Sequence, residues 1–466
     1  MSLGGIHHME NFIDNQKIFD LLEEAKKFNQ DKINKIIVKA ESCEGLSALE
    51  TAALLNVEDT ETLTKMYKAA GTIKEKIYGN RIVMFAPLYV SNYCINGCSY
   101  CGYKCSNNFD RRKLTDEEIS KEAIKIQDMG HKRIVLEAGE DEKNCSIDYI
   151  LNSMKVIYET KTEKGSIRRI NVNIAATTTE NYSKLKEAGI GTYTLFQETY
   201  HLETYNKFHL YGPKADFTYH LTAMDRAMEG GIDDVGIGAL FGLYDYKFEV
   251  MGMMMHKEHL EEVFGVGPHT MSVPRLKKAD DVDQHDFPYL VSDKDFKKIV
   301  AIIRLSVPYT GIILSTREEP AFREEVIEVG VSQISAGSKT DVGGYNEQDI
   351  IGEQFELADH RPSSEVIKSL CEQGYLPSFC TACYRSGRTG DRFMQVAKTG
   401  QIHNLCLPNA LMTFKEYLED YSNEEMKKLG EGVIAKHIED IENEKVKVLT
   451  KERLKNIEEG KRDLFL

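Results

Sequence analysis

Apolar positions along the chain follow two rhythms in turn. From about Phe12 to Gly79 they recur every three or four residues, as in KIFDLLEEAKKF and LSALETAALLNV. That spacing belongs to helices burying one face. Ser47 followed by Glu50 predicts a capping box. From Arg81 the pattern changes to short β-rich runs separated by amphipathic stretches. The candidate strands are 82–90, 133–138, 169–174, 192–197, 233–240, 269–273, 310–315 and 331–336. The first intervening helix shows the logic: Thr115 and Glu118 cap it, Ile119, Ala123 and Ile126 share a face, and Gly130 ends it. Past Asp349 this rhythm stops. The remainder reads as helical and charged, and the Glu/Lys-rich stretch from Met412 is predicted to form a solvated outer layer.

Eight β–α repeats predict an α/β fold of the (βα)8 TIM-type barrel class. The expected organisation is a helical lead-in over 1–80, a barrel over 81–348 and a mostly helical C-terminal domain over 349–466. A doubly wound open sheet is the alternative. It is weakened because GIGALFG (236–242) does not match the G-x-G-x-x-G dinucleotide fingerprint. Chemistry in such barrels sits at the C-terminal ends of strands. Those places hold Cys94, Gly139 and Glu140, Asn173, Glu198, Ser315 and Arg317, and Ser335 to Ser338.

Charge and composition narrow the partners. A formal net charge of −15 offers no basic field for nucleic acid or anionic membrane. No apolar run reaches the ~18 residues of a spanning helix, and the start has no signal-peptide pattern. The opening MSLGGIHHM is left out of the fold reading. Ten cysteines without a secretion signal point to a reducing cytoplasm, where clustered cysteine means metal or catalysis rather than disulfides. Cys43, Cys145 and Cys371 stand alone as ordinary thiols.

The other cysteines carry the candidate chemistry. SNYCINGCSYCGYKCSN (91–107) places Cys94, Cys98 and Cys101 as C-x3-C-x2-C, with Tyr100 just before the third cysteine. Three thiolates this close can wrap one face of a cubane iron–sulfur cluster and leave its fourth iron open. Zinc with Cys105 as fourth ligand is the alternative, but structural zinc sites usually use two well-separated ligand pairs. A second set, Cys380, Cys383 and Cys406, reads C-x2-C-x22-C. It suits an auxiliary iron–sulfur cluster with an incomplete protein shell, or a Cys3His zinc site completed by His403.

The first motif resembles the signature of radical S-adenosylmethionine (SAM) enzymes. With the second set, and with YVSNYC, QETYH (197–201), GPHTMSVPR (267–275) and LSTREEP (314–320), the chain from Asn80 onward resembles the [FeFe]-hydrogenase maturases that lyse tyrosine. QETYH and GALFGL also resemble the tyrosine lyase of thiamine thiazole synthesis, which lacks the C-terminal cysteines. The resemblance implies a 4Fe–4S cluster that binds SAM and an auxiliary Fe–S cluster, 4Fe–4S with an additional iron. L-tyrosine would be cleaved to p-cresol and dehydroglycine. Dehydroglycine would yield carbon monoxide and cyanide for an iron–carbonyl–cyanide precursor. It also implies an electron donor such as a ferredoxin or flavodoxin, and other hydrogenase maturation proteins as partners.

Residue roles follow from the same resemblance. Cys94, Cys98 and Cys101 hold the SAM cluster, and Tyr100 packs near the adenine. Ala138, Gly139 and Glu140 meet the SAM amino group, Asn173 joins the cofactor site, and Glu198 accepts ribose hydroxyls. Cys380, Cys383 and Cys406 hold the auxiliary cluster, and His269 ligates the extra iron. Arg317 or Arg323 takes the tyrosine carboxylate, with Ser315 beside them; the other arginine is expected to pair with Glu318, Glu319, Glu324 or Glu325. His256 and His259 read as a solvated helix face, and Met251 to Met255 as barrel packing. A sulfur-inserting or methyl-transferring radical SAM enzyme, and a non-enzymatic iron–sulfur or zinc protein, remain as competing readings.

Overall fold

A computed structural model describes residues 10–279, 281–346, 352–392 and 402–466, the side chains of 284 and 402–404 excepted. Eight parallel strands form the centre: β1 (Arg81–Ser91), β2 (Arg133–Ala138), β3 (Arg169–Asn173), β4 (Tyr193–Thr194), β5 (Val235–Gly238), β6 (Thr270–Ser272), β7 (Gly311–Leu314) and β8 (Gln333–Ser335). Each neighbours the next, and β8 returns to β1 through Val83↔Gln333, Met84↔Ile334 and Phe85↔Ser335, so the sheet closes. All eight coincide with apolar runs expected from the sequence. Several are shorter than those runs, because the ladder continues past the strand as single bridges, Glu198↔Ala239 and Phe241↔Arg275. Glu198 has φ of 68°, a left-handed backbone that ends the extended run there.

Both predicted capping boxes form, Ser47 with Glu50 and Thr115 with Glu118. The helical lead-in packs along the flank of the barrel: helix Thr60–Tyr78 lies against Asp293–Ser306, and helix Ala48–Leu55 against Tyr246–Phe264. Met251, Met253, Met254 and Met255 are buried, as packing residues should be.

The C-terminal segment differs from its expectation in two ways. A ninth strand, β9 (Leu376–Ser378), pairs parallel with the first residues of β1, Arg81↔Leu376 to Val83↔Ser378. Helix Ile402–Tyr421 is no solvated layer either: Met412 and Phe414 are fully buried and Leu418 nearly so. Beyond it, the Lys/Glu-rich positions of helices Glu424–Ile438 and Glu444–Glu458 are mostly exposed, as expected, whereas charged groups on its buried face are neutralised in place. Lys415 Nζ, for example, lies 2.9 Å from Glu419 and 2.7 Å from Glu458. His256 and His259 are likewise inside rather than solvated. His256 Nδ1 meets the Tyr200 hydroxyl at 3.0 Å, and His259 Nε2 meets Asp225 at 2.6 Å.

The barrel axis is hollow. Bulky branched side chains normally fill such an interior. Here Asn171, Thr194, Ser272, Gln333 and Ser335 share the interior with Phe85, Val135 and Ile313, and the hollow is left open among them.

Candidate active site

The hollow opens at the C-terminal ends of the strands into a chamber of about 210 Å³. Its wall contains Cys94, Cys98, Tyr100, Cys101, Ala138, Gly139, Glu140, Asn173, Glu198, Ser315 and Arg317. The loop after β1 carries the three cysteines and is tied to the end of β2. Ile95 N–H donates to the Glu140 carbonyl at 2.9 Å, and Asn96 Nδ2 donates to the Glu140 carboxylate at 2.6 Å. A Cβ on Gly139 would stand 2.4 Å from the Tyr93 carbonyl oxygen, so this approach needs glycine. The Tyr100 hydroxyl bonds His209 Nε2 at 2.8 Å, which fixes its ring against the cysteine loop. Glu198 pairs with Lys214 at 2.6 Å. Burial raises the Cys98 and Cys101 thiols, Cys101 to about 11. They become thiolates only when a cation takes the sulfur.

Of the two arginine candidates, Arg317 reaches this chamber, its guanidinium 3.3 Å from the centre of the Phe355 ring. Arg323 does not line it. It is buried against Asp359 and donates to the Ser335 carbonyl at 2.6 Å. Its carboxylate partner is therefore Asp359, not any of the four glutamates expected.

A second chamber, about 50 Å³, lies at the opposite, N-terminal end of the barrel. β9 builds it by pairing with the start of β1 and delivering Cys380 two residues later. Cys383, Cys406 and His269 complete its wall, together with Arg81, Arg133, Arg388, Asp234 and Tyr384. His269 precedes β6, and its N–H donates to the Val235 carbonyl at 2.8 Å. It therefore faces the C-terminal cysteines, far from the barrel mouth. Burial lowers its pKa, against the opposing influence of Asp234, whose Oδ1 lies 3.5 Å from Nδ1, and so favours the neutral imidazole. The Cys383 thiol donates to Cys406, which lowers Cys406 and pushes Cys383 up. The His403 side chain lies outside the described residues.

Gln333 borders both chambers. The hollow core thus places the two cysteine triads at its two ends.

Family models match at two places: the radical SAM superfamily over residues 88–257, and the biotin and thiamin synthesis associated domain over residues 272–376. The curated 2-iminoacetate synthase of Escherichia coli (strain K12) is 30% identical over 370 residues, covering 79% of this chain and 96% of that one. Among solved structures, HydG, a maturase of the [FeFe]-hydrogenase, is 61% identical with a TM-score of 0.96, covering 98% of this chain and 100% of that chain. HydG from Carboxydothermus hydrogenoformans is 42% identical with a TM-score of 0.84, covering 97% and 100%. The chain belongs to the radical SAM superfamily, in its tyrosine lyase family.

A radical SAM enzyme requires a 4Fe–4S cluster, and the triad in the chamber at the C-terminal ends of the strands, the upper one, fits it; the chamber at the N-terminal end is the lower one. Three cysteines free of disulfides face a single hollow, and Tyr103 N–H donates to Cys101 Sγ at 3.4 Å. The lower triad fits a second cluster. Beside it, Arg81 Nε, Arg133 Nε and Thr381 Oγ1 are buried donors with no partner among the described residues, as expected where acceptors such as cluster sulfur belong.

Several site residues of this family member escaped sequence reasoning. Lys214 and Gln333 have no motif around them. Glu137 passed for a strand residue. A usable signal existed for the lower chamber: β1, β2 and β3 all begin with arginine, at Arg81, Arg133 and Arg169. Strand starts lie at one pole of a parallel barrel, so this recurrence marks a cationic ring. Arg169 completes it by stacking 3.6 Å over the Tyr384 ring.

Proposed function

We propose that this radical SAM enzyme cleaves L-tyrosine to p-cresol and dehydroglycine in the upper chamber, and that dehydroglycine yields carbon monoxide and cyanide in the lower one, for an iron–carbonyl–cyanide precursor of the [FeFe]-hydrogenase. The observation that carries this reading is two separate cysteine triads at opposite ends of one hollow barrel, with Gln333 on the boundary of both chambers. A lyase with a single cluster has no use for the lower triad. The barrel over 81–348 would thus do the cleavage, and the segment from 349 onward would build the second site.

When bound, the upper cluster and SAM supply a 5′-deoxyadenosyl radical. The chain's own residues position what reacts. Ala138, Gly139 and Glu140 lie against the Cys94 loop, where the SAM amino group would sit. Asn173 and Glu198 offer polar atoms to the nucleoside, and Tyr100 offers a fixed ring face. Arg317 presents the planar fork that matches the tyrosine carboxylate, with Ser315 beside it. The product would pass along the axis by Gln333, which borders both chambers. At the far end, Cys380, Cys383 and Cys406 would hold the auxiliary cluster, and His269 would ligate an extra iron through neutral imidazole. An external low-potential electron donor of the ferredoxin or flavodoxin type would serve the upper cluster, and other maturation proteins would take up the precursor.

The test is to separate the two steps. In Cys380→Ser/Cys383→Ser protein, p-cresol should still form while carbon monoxide disappears. Loss of p-cresol with SAM cleavage intact would overturn the two-chamber reading.

A further inference from the structure

Three carboxylates line the upper chamber: Glu137, Glu140 and Glu198. Two are already engaged, Glu140 by Asn96 and Glu198 by Lys214. Among the described residues no salt bridge holds Glu137. It projects inward because alternate positions of β2 do, Val135 and Glu137 both facing the hollow. Parallel register sets it level with Tyr89 on β1 and Asn173 on β3. Asn173 Nδ2 donates to Glu137 Oε2 at 3.2 Å, which aims the carboxylate without neutralising it. The Tyr89 hydroxyl stands between two acceptors, Gln354 Oε1 at 2.8 Å and the Glu137 carboxylate.

The charge that acts on Glu137 is Arg317, whose guanidinium belongs to the same chamber. Tyrosines 89, 103 and 345 are the other titratable groups that face it. A buried anion left without a full ion pair is costly unless a ligand supplies the cation. A carboxylate and a guanidinium held apart in one polar hollow complement the two charges of a free α-amino acid.

We propose that Glu137 and Arg317 form a zwitterion clamp, in which Arg317 takes the substrate carboxylate and Glu137 takes the ammonium and accepts one of its protons. The inference rests on the tyrosine lyase reading. The transfer is balanced: the N–H bond breaks, its electron pair stays on nitrogen, and the proton forms an O–H bond on Glu137. The amine so produced carries a lone pair that can stabilise a neighbouring or nitrogen-centred radical, which an ammonium cannot. Burial raises the Glu137 carboxyl to about 7, against the opposing influence of Arg317, Tyr89 and Asn173. That is the range in which a carboxylate can take a proton and return it near neutral pH.

The experiment compares equilibrium binding of tyrosine and of its deaminated analogue, 3-(4-hydroxyphenyl)propionate, to reconstituted holoenzyme. Wild type should bind both. Glu137→Gln should weaken tyrosine by roughly 10- to 100-fold and leave the analogue unchanged, since only tyrosine has the ammonium. Glu137→Asp, which keeps the charge, should recover part of the discrimination and guards against a merely misfolded variant. In turnover, the acidic limb of kcat/KM should vanish in Glu137→Gln, and activity should return as pH rises and solvent deprotonates the amine. Equal loss of both ligands, or no loss of tyrosine, overturns the clamp. Wild-type protein that binds neither ligand overturns the substrate reading itself.

Discussion

Lys214 Nζ lies 2.6 Å from Glu198 Oε1, and both side chains are largely buried in the wall of the upper chamber. They come from different segments, Glu198 from the stretch after β4 and Lys214 from the short turn Pro213–Ala215, which follows helix Leu202–Phe208. Glu198 holds the Lys214 ammonium charged, although burial alone would lower it. The pair fixes a carboxylate with free lone pairs beside the cysteine loop.

If Glu198 serves ribose hydroxyls, Glu198→Gln should weaken SAM binding by about tenfold, the worth of charge-assisted hydrogen bonds. Lys214→Met should weaken it further, because it strands a buried carboxylate next to three thiolates. Equilibrium dialysis of SAM against reconstituted protein checks this, with iron content as the control. Full SAM affinity in both variants would remove the pair from the cofactor site.

The two arginines should behave differently. Arg317→Ala should raise the KM for tyrosine roughly tens- to hundreds-fold, about 2–4 kcal/mol, with SAM binding unchanged. Arg323→Ala leaves Asp359 buried, with Arg361 as its remaining cation. Breaking such a pair costs about 3–5 kcal/mol of stability. A fall in denaturation midpoint with normal tyrosine KM in the folded fraction is expected. A KM effect in Arg323→Ala without destabilisation would contradict its placement.

His131 gives a pH dependence with a definite sign. Its Nε2 reaches the Ala336 carbonyl at 3.1 Å and Ser363 Oγ at 2.9 Å, joining the barrel to the C-terminal segment. Burial lowers its pKa from 6.5 to about 4. Between those values the unfolded chain binds a proton that the folded one refuses, so stability falls as pH falls through that window. By about pH 5 the loss should be on the order of 2 kcal/mol. The difference between wild type and His131→Gln in urea unfolding, followed across that range, isolates it from the other buried histidines. A difference that does not change with pH would refute it.

The strands and the barrel were legible because short β-rich runs, caps and glycine stops are local properties. Thr115 with Glu118 predicts a helix start wherever the rest of the chain goes. The first cysteine triad was legible for the same reason: its ligands lie within one loop. No local pattern could show that Arg317 reaches the chamber while Arg323, six positions on, turns to Asp359. That choice depends on a helix, Pro320–Glu328, rotating one arginine inward beneath the loop. Glu137 was hidden because a strand residue shows which face it takes but not what that face encloses.

The sequence alone determined a parallel barrel, a three-cysteine loop at the end of its first strand and a second cysteine set beyond it. Tertiary structure decided where the second set goes. β9 pairs with the first residues of β1, carrying Cys380 to the strand starts, where Arg81, Arg133 and His269 already converge. The physical reason is that barrel closure brings strand starts from distant parts of the chain to one pole, and backbone pairing then chooses what covers that pole. Neither contact leaves a trace in the spacing of residues along the chain.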